Sequence, residues 1–154
     1  MRVWRICRRA HAADALSGRG GLFVSGRWHS RGRRIVYTSG SLSLAALEIL
    51  VHVDQTELPR DLFRIEVEIP DDVSVERIDA SALPTAWRTF PAPPALQELG
   101  DGWLQQQKAL VLEVPSAVIP EEYNYLLNPA HPDAARLVVV SSREFVYDPR
   151  IVGR

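Results

Sequence analysis

Glu48 carries the strongest chemical signal in the chain. It falls beside a helical stripe of Leu44, Leu47, Leu50 and Val51, and a carboxylate so placed must be solvated, paired or retained for a task. A salt bridge to one of the many arginines is the ordinary alternative, because ion-pair networks also bury acids. Upstream, Gly26-Arg27-Trp28 joins a glycine that lets backbone approach a ligand, a planar cation able to grip two phosphate oxygens, and an aromatic ring. Tyr37 follows on a strand that feeds the Glu48 helix, so Arg27, Tyr37 and Glu48 can meet at one crevice, although Tyr37 suits a core position equally well. A third cluster, Val114-Pro115-Ser116 at a strand end with Asn124 and Asn128 soon after, offers hydroxyl and amide groups rather than charges.

Other reactive arrangements are poorly supported. His11, His29, His52 and His131 are scattered without ligand spacing, which speaks against a metal site. Ser116 has neither a histidine close in sequence nor a Gly-x-Ser-x-Gly turn, so a hydrolase triad is a weak reading. Cys7 reads as structural rather than nucleophilic, and no glycine-rich loop of the nucleotide-triphosphatase kind is present.

The elements that must position these residues follow from periodicity. Arg2 to Ile6 reads as a short strand, Ser17 to Gly32 with its five glycines as a loop, and Ile35 to Thr38 as a second strand. A helix over roughly Leu42 to Val53 follows, capped by Ser41 or Ser43. Phe63, Ile65, Val67 and Ile69 alternate with Arg64, Glu66 and Glu68, the pattern of a strand with one wet face. Val73 to Ile78 is expected as another strand, and Pro84 to Pro94 as a proline-punctuated connection around Trp87. Leu96, Leu99, Trp103 and Leu104 predict a second helix in which Gly100 and Gly102 cost stability or mark a bend. Ala109 to Val114 is an apolar strand, and Leu137 to Val140 with Glu144 to Tyr147 is expected as a final strand pair. There are no repeats and no linker, so residues 1–154 are expected to form one α+β domain.

Composition agrees with a globular protein. The chain has 154 residues, 46% of them hydrophobic, with 18 basic and 19 acidic side chains, which argues against a dedicated nucleic-acid binder. Charge is uneven, however: Met1 to Arg34 holds nine arginines and a single acid, Asp14. Such a segment faces an anionic ligand, the protein's own carboxylates, or simply water. One cysteine cannot form an internal disulfide, which fits a reducing compartment and a cytoplasmic address. No apolar leader follows Met1, and the most apolar window, Leu42 to Val53, is too short to span a bilayer, so no membrane association is expected.

Six motifs occur here in one order: Gly26-Arg27-Trp28, Ile35-Val36-Tyr37, Ala45-Ala46-Leu47-Glu48, Gly100-Asp101 with Trp103, Val114-Pro115-Ser116, and Asn124-Tyr125-Leu126-Leu127-Asn128-Pro129 with His131-Pro132. This ordered set resembles the RES domain family over nearly the whole chain. The family takes its name from an arginine, a glutamate and a serine, which the motifs place on Arg27, Glu48 and Ser116. His29 stands where the family usually has asparagine.

The resemblance implies an ADP-ribosyltransferase-like fold with a mixed β core and a few helices. It further implies the toxin of a bacterial toxin-antitoxin pair, neutralised by an Xre-type helix-turn-helix antitoxin that covers or fills the crevice. Self-association is left open. NAD is the implied substrate, consumed by hydrolysis or phosphorolysis of its nicotinamide-ribose bond, or used to ADP-ribosylate a cellular protein. On that basis Glu48 stabilises the oxocarbenium-like centre, Arg27 clamps the pyrophosphate with help from Arg5, and Gly26 and Trp28 border the clamp. Tyr37 stacks on nicotinamide, Ser116 bonds the ribose or the carboxamide, and Asn124 shapes the pocket. Nicotinamide leaves as a neutral ring, so no metal is demanded.

Overall fold

The computed structural model describes residues 1–54 and 57–151, so the last three residues of the expected domain lie outside the described ones. Seven strands form a single sheet in the order β4-β5-β6-β2-β1-β3-β7. They are β1 (Arg2–Arg8), β2 (Val36–Ser39), β3 (Leu62–Glu68), β4 (Val75–Arg77), β5 (Val111–Pro115), β6 (Tyr123–Leu127) and β7 (Val138–Phe145). Two α-helices accompany them, α1 (Leu42–Leu50) and α2 (Pro94–Gln106). Only β4 and β5 pair in parallel; the other neighbours are antiparallel. This is the α+β class expected from the sequence.

Two strand expectations need correction. Tyr123–Leu127 forms β6 and pairs with both β2 and β5, although its asparagine and tyrosines give no clear alternation. The expected final pair is one continuous strand, β7, lying antiparallel to β3 with an irregularity between Glu66 and Val67 that absorbs the register.

Alternation along β5 divides the core between the two faces of the sheet. Val111 joins Val3, Ile65, Val67 and Leu127 in one cluster, while Leu112 and Val114 join Trp28, Trp87, Leu96 and Trp103 in another. Helix α2 covers the second cluster with Leu96, Gly100, Trp103 and Leu104, and Trp103 Nε1 donates to the Ala109 carbonyl at 3.1 Å. Leu99, expected in that stripe, is 43% exposed, and Gly100 occupies the inner face instead. The reason is steric: a Cβ at position 100 would stand 1.7 Å from the Trp28 carbonyl oxygen. Gly100 therefore marks a close approach between α2 and the Trp28 loop rather than a bend.

Helix α1 starts where Ser41 Oγ accepts the Leu44 amide at 3.1 Å. Its buried residues are Leu44 and Ala45, while Leu47 and Val51 of the expected stripe are 38% and 56% exposed. The arginine-rich first segment is largely matched by the protein's own acids. Arg2 pairs with Glu66 and Glu68, Arg8 with Asp61, Arg9 with Glu144, Arg19 with Asp14, and Arg33 with Asp101. Among the described residues no helix is long and apolar enough to cross a membrane.

Candidate active site

The middle of the sheet is where the site forms. β1 and β2 share one ladder pair, Trp4 opposite Ser39, and the ladder does not continue beyond it. A cavity of about 770 Å³ lies at this parting, bordered by Trp4, Arg5 and Ile6 of β1 and by Tyr37, Thr38 and Ser39 of β2. Its size falls within the ~300–1,000 Å³ typical of small-molecule sites. α1 contributes Ala45, Glu48, Ile49 and the following His52, residues spaced to share one helical face. Glu48 is thus part of the face that α1 turns to the cavity.

Glu48 has no arginine partner. Its Oε1 accepts two hydrogen bonds, from Ser116 Oγ at 2.7 Å and from Asn124 Nδ2 at 2.6 Å. Among the described residues no cation lies within 4.0 Å of its carboxylate, so the ordinary ion-pair alternative does not hold. Both donors meet the same oxygen, which leaves Oε2 as the one they do not engage. Asn124 is itself oriented, because its Oδ1 accepts from Ser39 Oγ at 2.7 Å.

Ser116 is fully buried, and its hydroxyl oxygen also accepts the amides of Val118 and Ile119 at 3.0 and 3.1 Å. The direct ligand contact expected of Ser116 therefore gives way to a different task. It ties the turn after β5 and orients Glu48 from behind. Asn128, grouped with Asn124 by sequence, is structural: its Nδ2 donates to the Leu104 carbonyl at 3.1 Å.

Arg27 faces the same cavity. Its Nη1 donates to the carbonyls of Trp87 at 2.6 Å and Thr89 at 3.1 Å, which anchors the 84–93 connection through one of its two terminal nitrogens. Desolvation pulls its pKa down, and the field of Glu48 pushes it back up, which places the two opposite charges within electrostatic reach of each other. Arg5 also borders the cavity; its Nη1 donates to the Tyr37 carbonyl at 3.1 Å across the parted strands, and its buried Nε has no partner. Burial lowers the Arg5 pKa, yet a guanidinium stays charged at neutral pH.

Gly26 and Trp28 serve mainly to build the Arg27 loop. Trp28 is 2% exposed and packs in the α2 cluster. A Cβ at Gly26 would stand 2.7 Å from Tyr37 Oη and 2.8 Å from His29 Cε1, so the space a side chain would fill is taken by those two rings rather than kept for a ligand. Gln97 of α2 donates to the Gly26 carbonyl at 2.9 Å and fixes the loop from the other side. Tyr37 lines the cavity, and burial pushes its phenol well above the ordinary tyrosine range. Ser39 and Gln97 carry no signal in the sequence because each acts through another residue, and His29 stands out there only as a departure from the usual asparagine, with no local spacing to announce its contact with Tyr37. Among the described residues no three His, Cys, Asp or Glu side chains gather as metal ligands.

The chain is similar over its length to several bacterial proteins. It is 41% identical to the "Prs ADP-ribosylating toxin" of Sphingobium sp. strain YBL2, covering 98% of this chain and 96% of that protein. It is 38% identical to "Toxin Res" of Yersinia enterocolitica, covering 98% and 99%. Its fold matches a chain of the crystal structure of the M. tuberculosis MbcT-MbcA toxin-antitoxin complex with a TM-score of 0.78 at 16% identity, covering 98% of this chain and 86% of that one. Residues 2–148 match the model of the RES domain, and with this match and these relatives the chain belongs to the RES domain family.

Proposed function

We propose that this chain is the toxin of a toxin-antitoxin pair and that it consumes NAD by cleaving the nicotinamide-ribose bond, passing ADP-ribose to water or phosphate. The observation that carries this reading is charge complementarity across one cavity. Arg5 and Arg27 bring two permanent positive charges and Glu48 one negative charge to the lining of the same cavity. NAD is their mirror image, with two negative charges on its pyrophosphate and one positive charge on nicotinamide.

Bond cleavage releases nicotinamide as a neutral ring and leaves positive charge at ribose C1′. A carboxylate fixed beside that carbon before the reaction stabilises the charge without reorganising. Ser116 and Asn124 supply the fixing, since two donors on Oε1 restrict the rotation of the carboxylate. Arg27 and Arg5 hold the pyrophosphate, and Tyr37 provides a flat wall for nicotinamide. Tyr37 is not an acid or base here, because its proton is held far above neutral pH. Water attacking C1′ gives ADP-ribose and a proton; phosphate gives ADP-ribose 1″-phosphate.

A second reading, transfer of ADP-ribose to a cellular protein, is favoured by the 41%-identical relative, which is an ADP-ribosylating toxin by name. It uses the same residues and differs only in the acceptor. Purified chain incubated with labelled NAD, with and without phosphate, separates these outcomes: free label as ADP-ribose or its phosphate supports NAD depletion, label on protein supports transfer, and intact NAD in all arms defeats both. An antitoxin partner is supported by the toxin-antitoxin complex in the matched structure, and from the family resemblance we propose that it is of the Xre type and covers or fills the cavity. Suppression of NAD loss by the co-purified antitoxin tests that placement.

A further inference from the structure

His29 is buried, 4% exposed, and both of its ring nitrogens are occupied. Nε2 lies 2.9 Å from the Val24 carbonyl oxygen, and Nδ1 lies 2.7 Å from Tyr37 Oη. A carbonyl oxygen has no proton to give, so Nε2 must carry the hydrogen. In the neutral ring Nδ1 is then a bare acceptor, and Tyr37 Oη must be the donor to it. The Trp28 amide donates to the same phenol oxygen at 3.2 Å. The Tyr37 proton therefore points at the histidine, and what Tyr37 presents to the cavity is its ring.

We infer that His29 is a positioning residue for NAD: by accepting the Tyr37 hydroxyl in its Nε2–H form, it locks the Tyr37 ring as the wall against which nicotinamide stacks. This rests on the proposed NAD-consuming activity and deepens it. The lock is tight on its far side as well, because Gly26 leaves no space between the two rings and the chain. The rings meet tilted at 55° with centroids 5.5 Å apart, while Tyr37 also borders the cavity.

The arrangement holds only while His29 is neutral. Protonation converts Nδ1 from acceptor to donor, so two N–H groups then address Tyr37 Oη and its own proton must leave the pair. Burial opposes that protonation, whereas the Val24 carbonyl that accepts from the ring and, after it, Asp101 on α2 favour the charged form. Arg33 pairs with Asp101 at 3.2 Å and weakens that pull, and Tyr37 on β2 stays neutral. Arg27 from the same loop acts on Tyr37.

The test combines a spectrum with kinetics. Nitrogen-15 NMR of the full-length chain is expected to show His29 as the Nε2–H tautomer, titrating below the ordinary 6.5. An Nδ1–H tautomer or a titration above 6.5 overturns the assignment. His29→Ala is expected to raise KM for NAD about tenfold, the worth of one neutral hydrogen bond, with kcat nearly unchanged. His29→Asn keeps an acceptor near the Nδ1 position, so it is expected to restore KM at pH 8 while removing the rise in KM that the wild type shows on acidification. His29→Ala and Tyr37→Phe break the same bond, and their effects are expected not to multiply. A His29→Asn variant as impaired as His29→Ala, an acid limb that survives in His29→Asn, or multiplying effects overturns the positioning role. Absence of NAD turnover in the wild type overturns the activity on which it rests, whatever the spectrum shows.

Discussion

Replacing Glu48 by glutamine tests the centre of the mechanism with little change of shape. Ser116 and Asn124 both donate to Oε1, so the new amide has one comfortable orientation, with its carbonyl toward those donors and its NH₂ where Oε2 stood. The variant therefore loses a negative charge and gains an N–H dipole of the wrong sign beside the carbon that becomes cationic. Removal of one preorganised electrostatic group costs ~10²–10³ in kcat, or about 2.7–4 kcal/mol, and the reversed dipole puts the loss at the upper end of that range. Stability changes less. Two charge-assisted bonds become neutral ones at about 1 kcal/mol each, and relief of carboxylate desolvation offsets part of that. For a chain of this length the net change in Tm is at most about 4–8 °C. Product analysis by chromatography gives kcat, calorimetry gives NAD affinity, and a thermal melt reports folding. A folded Glu48→Gln protein that destroys NAD at the wild-type rate refutes the role of the carboxylate.

Four further outcomes follow from particular contacts. In Arg27→Lys an ammonium that keeps the Trp87 and Thr89 carbonyls has one N–H left and no planar fork for a phosphate, so NAD affinity by calorimetry is expected to fall about 10–100-fold, as for a lost charged hydrogen bond. Ser116→Ala removes a donor from Glu48 and strands the amides of Val118 and Ile119, and denaturant unfolding is expected to show a loss of about 2–3 kcal/mol together with a lower kcat. Gly100→Ala forces α2 away from the Trp28 backbone and is expected to cost at least about 1–3 kcal/mol, whereas Gly102→Ala meets open space in the same helix and is expected to gain up to about 1 kcal/mol. The depressed His29 pKa means the unfolded chain binds the extra proton more readily, so its contribution to stability is full above 6.5 and shrinks as pH falls through the folded value; melts across pH 5–8 should show that slope in the wild type and a shallower one in His29→Asn.

The sequence made the anchors of the site legible because they are chemical outliers. A glutamate on an apolar helix and an arginine between glycine and tryptophan stand out from any background. The strand containing Ile65 and Val67 was equally readable, since both ends of its alternation are realised in the sheet. The face of α1 was harder. That helix is apolar nearly all round, so Leu44, Leu47, Leu50 and Val51 gave a plausible stripe, while the chain turns Ala45, Glu48 and Ile49 inward and lets Leu42, Ala46, Leu47 and Leu50 border a second, apolar hollow beside Phe145 and Tyr147. β6 escaped notice because Tyr123-Asn124-Tyr125 is decided by two neighbouring strands and by Glu48, all distant in sequence. The roles of Ser116, Ser39 and His29 depend on what each hydroxyl or ring nitrogen meets in space, and a one-dimensional pattern does not carry that.

The lone Trp4–Ser39 pair between β1 and β2 has a mechanical consequence. Backbone pairing between the two half-sheets, β4-β5-β6-β2 and β1-β3-β7, is limited to that pair, and the rest of the seam is held by the reach of Arg5 to the Tyr37 carbonyl and by the packing of Val3, Ile65 and Val67 against Val36, Val111 and Leu127. Anything lodged between the two halves acts as a rivet. Amide exchange should then slow in both halves together when the cleft is filled, and an occupant that grips only one half should leave the other as loose as before.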